Sequence, residues 1–432
     1  MTLITTPSRD DAAVDDFHRL FDAVAACGAT VGGGVERQSA SAADGAARRV
    51  FAAALEAAGA TVRTDAVGNQ YGVFALADRI DAPLVMLGSH LDSQPRGGRF
   101  DGALGVVAAA AVGAALMRAK RAGARFDADY CAVNWTNEEG ARFRPSLLGS
   151  GFFTGKHDAD FALSRADDAG VTLGEALAAI GQRGADAPPP LPACYLELHI
   201  EQGLHLESAA ADIGVVRRNW GAIKVDVRFQ GEQAHTGPCP MPLRRDALLA
   251  AAYLIAEARA IADRWPGVVH TSVGRIVVAP NSANVVPSEV ALSLEIRSAD
   301  DAVLAEAGAL GARAIAEAAE RANVTVTADR AERPIRQLPT EVCDLVAACA
   351  GALGLSCRDV DTVAGHDAIS LLGLCPTGLI FVPSVGGVAH NEGEFTARAD
   401  IENGLRLCLE AAWRLCQAGG SPERATLAGG PV

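Results

Sequence analysis

The stretch Leu84-Val85-Met86-Leu87-Gly88-Ser89-His90-Leu91-Asp92, continued by Gly97-Gly98-Arg99-Phe100-Asp101-Gly102, decides how the rest of the chain is read. The apolar run 84–87 reads as a buried strand, and the Ala- and Gly-rich run 102–122 reads as a helix. Between them lie one imidazole and two carboxylates. That combination suits a zinc-type divalent cation, and the glycines let backbone and side chains come close to it. The plainer alternative is a polar turn in which Asp101 caps the helix.

Composition narrows the classes. At 432 residues the chain exceeds one ordinary core, so two domains are expected. Half of it is hydrophobic, a globular composition. A formal net charge of -14 argues against a nucleic-acid or anionic-membrane partner. The first eleven residues lack the basic start and apolar core of a secretory signal. The longest nearly apolar run, 102–117, is shorter than the ~20 residues a bilayer needs and reads as a buried helix. Ten scattered cysteines without a Cys-x-x-Cys pair read as the reduced thiols of a cytoplasmic enzyme.

Working outward, 12–26 and 42–58 have helical periodicity, and 61–65 with 70–74 form a hairpin around Gly68-Asn69. Strands follow at 130–135 and, after a Pro-rich connection at 184–192, at 194–199. From residue 213 the pattern changes to strand 223–229, helix 245–262, strands 272–279 and 289–297, helix 302–321 and strand 323–328. That order matches a ferredoxin-like sandwich. It is an insert, because βα alternation resumes after about residue 333 and supplies a buried strand at 379–382. Residues 419–432 read as a loose tail. The expected fold class is therefore α/β. A metal-binding domain with a mainly parallel sheet flanked by helices occupies 1–212 and 333–432, and a ferredoxin-like α+β domain is inserted at 213–332.

Three more segments carry chemistry. Asn137-Glu138-Glu139-Gly140 follows a strand, and two adjacent carboxylates there can divide the labour, one binding metal and one moving a proton. His199-Ile200-Glu201-Gln202-Gly203 ends another strand, and Ala389-His390-Asn391-Glu392-Gly393-Glu394 follows a third. Each alone reads more readily as a solvated turn or a core histidine. Together they place His90, Asp101, Glu139, His199 and His390 just after apolar strands, where open α/β sheets bind ligands. Three imidazoles and two carboxylates suffice for two metals if one carboxylate bridges.

These segments, in this order, resemble the metal-dependent aminoacylase/carboxypeptidase family, and within it the branch of N-carbamoyl-L-amino-acid hydrolases, β-ureidopropionases and allantoate amidohydrolases. The resemblance runs from Asp65-x-x-x-Asn69 to the segment around His390. It implies two divalent ions per subunit, zinc with manganese, cobalt or nickel as substitutes, bridged by Asp101. His90 and His199 would complete one ion's ligands, and Glu139 and His390 the other's. Glu138 would be the general base and Asp92 would accept from His90, fixing its tautomer. The family often has a cis bond after the bridging aspartate.

Within the insert, Gly231-Glu232-Gln233-Ala234-His235-Thr236-Gly237 and Met241-Pro242-Leu243-Arg244-Arg245-Asp246-Ala247 resemble the family's dimerisation signature. This implies a homodimer in which His235 reaches a neighbouring active site and donates to the oxyanion. Asn284, Arg297, Gln202 and His366 would complete the substrate pocket, and closure of the insert would assemble it. Arg244 and Arg245 read as structural. The chain departs from its relatives at Ala389, Val385 and Cys239, where Ser, a basic residue and Thr are commoner.

The implied reaction is two-metal hydrolysis of the ureido C–N bond of an N-carbamoyl amino acid or an allantoate-like carboxylate. The alternatives are an N-acyl-amino-acid amidase or peptidase of the same family, and a non-enzymatic metal-binding scaffold. The sequence leaves open which ureido carboxylate and which metal are used.

Overall fold

The protein is described by a computed structural model over residues 10–427. The expected lack of a leader falls mostly outside those residues. The chain divides into two compact units, one of residues 1–217, 338–360 and 365–432, the other of 218–337 and 361–364.

The first unit is built on a mixed sheet. In spatial order seven of its nine strands are Thr61–Thr64, Gln70–Phe74, Asp129–Trp135, Leu84–His90, Cys194–Ile200, Thr377–Val382 and Ile213–Asn219. The middle four run parallel. The outer pairings are antiparallel. Leu84–His90 and Cys194–Ile200 are buried at every residue, which is why they read as apolar runs without alternation. Because the middle strands are parallel, their carboxyl ends share one edge of the sheet, and the chemistry-bearing segments leave from there.

Helices Ala103–Arg121 and Arg398–Gln417 pack on these strands. Ala103–Arg121 is long and apolar enough to cross a membrane by length and composition, yet most of its residues from Ala103 to Leu116 are buried in the core. Helix Ala42–Ala58 starts where Ser41 accepts from the Asp44 N–H and stops where Gly59 turns left-handed at φ 101°.

The second unit carries Gly221–Gln230, Val269–Ala279, Glu289–Ser298 and Thr325–Arg333 in one antiparallel sheet. The fourth strand lies beside the first, followed by the third and the second, the order of a ferredoxin-like sandwich. Helices Ala247–Asp263 and Asp301–Arg321 cover the face formed by Val290, Leu292, Leu294 and Ile296.

Three expectations change. Residues 419–427 are not a loose tail: Pro422–Leu427 is a helix with Pro422 and Ala425 buried, and only 428–432 lie outside the described residues. Asp101 does not cap the helix that follows, because the capping position is Gly102, at φ 64°, with no side-chain cap. The described cis bonds are Arg144–Pro145 and Ala279–Pro280, so the bond after Asp101 is trans. The segment between Asp129–Trp135 and Cys194–Ile200 also holds short helices that no periodicity announced: Leu148–Phe153, Ala159–Leu163 and Leu173–Ala179. They close over a small core of their own.

Candidate metal centre

His90 is the last residue of its strand and His199 the penultimate residue of its own. Each ring is oriented by a main-chain carbonyl: His90 Nδ1 lies 2.8 Å from Asp92 O and His199 Nδ1 2.9 Å from Ile200 O. A proton on Nδ1 donates to that carbonyl and leaves Nε2 as the outward donor, the arrangement metal-binding imidazoles need. Both Nε2 atoms face Asp101 Oδ1, at 3.6 Å for His90 and 3.0 Å for His199. On its other oxygen Asp101 meets His390 Nε2 at 3.2 Å, and His390 Nε2 lies 3.6 Å from Glu139 Oε2. Two donor triads result, His90–Asp101–His199 and Asp101–Glu139–His390, sharing Asp101. The first is buried; in the second, Glu139 is half-buried and the His390 side chain 50% exposed. Nitrogen and carboxylate donors in threes fit a borderline divalent ion.

Glu138 stands beside the first triad, its Oε2 3.8 Å from His90 Nε2. Asp92 departs from its expected contact. It reaches His90 through its main-chain carbonyl, and its carboxylate, 3.9 Å from the ring at the nearest, accepts instead from the N–H groups of Glu138 and Glu139 at 3.2 and 3.3 Å. The carboxylate cannot turn to the imidazole without leaving two buried N–H groups unpaired. Gln202, held at φ 60° by a bond from its N–H to Ser384 Oγ, donates its amide to Asp101 Oδ2 at 2.8 Å. The buried His366 ring packs edge-on against His199, with centroids 4.5 Å apart.

So many acids in one buried place shift one another. Burial, then Asp367 and Glu139, pushes Glu138 well above the usual carboxylate range, and burial with Asp101 lifts Glu139 to about 8. Burial also lifts Asp92 to about 7 and lowers His90 to about 4. His199 goes the other way: burial opposes its charge, but the Asp101 carboxylate outweighs it and raises the ring to about 9. His390 rises to about 9 through its hydrogen bond to Asp101. Asp101 falls well below its ordinary value because, against burial, His199 and His390 stabilise its charge. An acid-rich cluster of this kind favours cations.

The family model for peptidase family M20/M25/M40 matches residues 86–414, a span that includes every one of these groups. The chain belongs to peptidase family M20/M25/M40. It is an enzyme of this family, a hydrolase. The M20 family is metal-dependent, and the two triads are its candidate ligands here. The chain is 37% identical, over 88% of its length and 92% of the other's, to the N-carbamoyl-L-amino-acid amidohydrolase of Rhizobium meliloti. It is 33% identical to the allantoate amidohydrolase of Bacillus subtilis strain 168, over 83% and 87% of the two chains. The crystal structure of a hydantoinase/carbamoylase-family amidase from Burkholderia vietnamiensis overlays with a TM-score of 0.89, at 38% identity, covering 93% of this chain and 98% of that one.

The other sequence-predicted residues of this M20 chain lie in the second unit. His235 and Asn284 are neighbours there: Ala234–His235 pairs with Val285–Val286, and the Thr236 N–H donates to Asn284 O. Arg297 is held at two points, donating to Val363 O at 2.6 Å and to Glu295 Oε2 at 2.9 Å. Arg244 donates to Cys239 O and Thr236 O in the same loop.

Four residues at the centre escaped sequence reasoning. Gln94 grips Glu139, with its N–H 3.1 Å from Oε1 and its amide 2.8 Å from Oε2. Buried Glu394 accepts from the N–H groups of Phe100 and Asp101, both at 3.0 Å, and so fixes the loop that presents Asp101. Glu197 accepts from Ser89 Oγ and the Ala368 N–H behind His199, and Asp367 is buried beside it. Glu394 lay inside the quoted His390 segment, so a signal was present. Gln94 stands two residues after Asp92, Asp367 next to His366 and Glu197 in the strand that leads to His199, so each lay beside a residue already singled out without being assigned a part.

Proposed function

We propose that this protein hydrolyses the ureido C–N bond of a small carboxylate, an N-carbamoyl amino acid or an allantoate-like compound, with two divalent ions per subunit. The observation that carries the reading is the pair of triads sharing one carboxylate, with Glu138 on the same rim. The substrates in the relatives' names support the ureido class.

His90, Asp101 and His199 would hold one ion, and Asp101, Glu139 and His390 the other. Bound there, divalent ions polarise a carbonyl and acidify water. Glu138 takes the proton of the attacking water and returns it to the leaving nitrogen. Gln202 steadies Asp101, and Asp92 holds the turn that carries Glu138 and Glu139. We assign His235 to the oxyanion, Arg297 and Asn284 to the substrate carboxylate, and His366 to the pocket wall. In this account 213–332 is the inserted dimerisation and lid domain of a cytoplasmic homodimer, between catalytic parts 1–212 and 333–432. Atoms balance as water plus a ureido group giving an amine, carbon dioxide and ammonia.

The test is Glu138→Gln with metal content verified. Losing a general base costs about 10²–10⁴-fold in turnover, so kcat should fall by that much with KM little changed. Near-native turnover would remove Glu138 from the mechanism.

A further inference from the structure

Asp65 and Asn69 lie in the hairpin turn before Gln70–Phe74, away from the metal-ligand segments in sequence, and both are fully buried. Asp65 organises the turn: its Oδ1 accepts from the N–H groups of Val67 and Asn69, and its Oδ2 accepts from Tyr71 OH at 2.8 Å and Asn69 Nδ2 at 2.9 Å. The Asn69 amide is thereby aimed. Its Oδ1 accepts from the Thr136 N–H at 2.9 Å, and its Nδ2 also donates to Gly149 O at 3.0 Å.

Those two partners bracket the turn that carries Glu138 and Glu139. Gly149 N–H donates to Thr136 O, Leu148 N–H to Asn137 O and Leu147 N–H to Glu138 O, so the outgoing and returning strands of the loop are laced together. Asn137, at the turn's start, is at φ 57°, a conformation that needs outside support in a non-glycine residue, and its amide is tied to Phe143 O and Pro145 O. Arg48 adds a bond to Thr136 Oγ1 at 3.2 Å from a fully buried pair with Asp44. The Asp92 carboxylate accepts from the next two N–H groups of the turn, those of Glu138 and Glu139. There is no slack: a Cβ on Gly149 would lie 2.2 Å from Asn69 Oδ1.

We infer that Asn69 is a positioning residue for Glu138: its buried amide, aimed by Asp65, sets the height of the Thr136–Glu139 turn over the two triads. This rests on the reading of Glu138 as the base. The amide is the one group that fits, since Asn69 must offer an acceptor to Thr136 and donors to both Asp65 and Gly149 at once. A carboxylate in its place would face two acceptors.

The test compares Asn69→Asp and Asn69→Ser with the unaltered metal-loaded enzyme, each assayed per mole of folded, metal-loaded protein on an N-carbamoyl amino acid. Misplacement by about 1 Å costs on the order of 10²-fold, so kcat should fall at least about tenfold while KM stays within about twofold and metal content holds. A merely structural role would lower the melting temperature and yield but leave kcat per loaded site intact. That result in Asn69→Ser, which adds no charge beside Asp65 if Asn69→Asp does not fold, overturns the inference. Loss of metal in place of lost turnover also overturns it, by placing the effect on Glu139. Glu138→Gln, run alongside, separates the failures: if it keeps turnover, the base assignment falls; if it loses turnover while Asn69→Ser does not, only the role of Asn69 falls.

Discussion

Protonation sets the behaviour of the centre residue by residue. His199 is raised to about 9 because Asp101 outweighs the burial that opposes it, and His390 to about 9 by its bond to Asp101. Both lie above the unfolded value near ~6.5, so their stabilisation is full below that pH and is lost as pH rises through about 9. Glu139, lifted to about 8 by burial, acts in the same direction, since the unfolded chain releases its proton at lower pH than the folded one. Metal-free protein should therefore melt at steadily lower temperature from about pH 6.5 to 9. Zinc should be taken up with release of protons and should remove that slope. Thermal melts of chelator-treated and zinc-loaded samples check this; a metal-free melting temperature that rises across the window contradicts it. The candidate ligands were legible because each lies at or beyond the carboxyl end of an apolar strand. Glu394 was not legible as a support, because its partner Asp101 is 293 residues away in the chain and only the fold brings them together.

Between elements, small residues decide how closely they pack. Gly105, in the first turns of Ala103–Arg121, faces the strand of His199: an added Cβ would lie 2.4 Å from Leu198 O, a main-chain atom that cannot move aside. Gly105→Val should destabilise the protein by about 2–3 kcal/mol and disturb zinc affinity by displacing His199. Gly351, in helix Thr340–Leu353, meets nothing within 4 Å. Gly351→Ala should stabilise by about 0.5–1 kcal/mol. Urea titrations measure both; equal effects would mean that the close approach at Gly105 is not a constraint. At this scale the sequence was most readable where local chemistry is sufficient. Helix Ala42–Ala58 is bounded by the Ser41 cap and Gly59, and the hairpin by Gly68-Asn69. It was least readable in 141–192, where Leu148–Phe153, Ala159–Leu163 and Leu173–Ala179 are too short for a helical period to show and exist through their shared core with Phe143 and Val67.

For the whole molecule, the parallel middle strands deliver four separated segments to one edge, and that convergence turns scattered histidines and acids into a centre. The second unit's alternating strands spelled out its topology in advance, because one face is covered by helices and the other is not. The role proposed for it rests on resemblance: no periodicity assigns Arg297, tied here to Glu295 and Val363, to a substrate. The homodimer proposed through this unit should appear in light scattering as twice the 44.4 kDa chain mass, and a single-chain mass would contradict it. The central claim is the bond that is broken. The direct measurement is ammonia release by zinc- or manganese-reconstituted protein from N-carbamoyl-α-amino acids, N-carbamoyl-β-alanine and allantoate, beside amine release from the matching N-acetyl amino acids and dipeptides. The account predicts turnover of at least one ureido carboxylate, abolished by chelation and restored by metal, with the N-acetyl and peptide substrates far slower. Metal-dependent cleavage of N-acetyl amino acids or dipeptides, with the ureido compounds untouched, would contradict it.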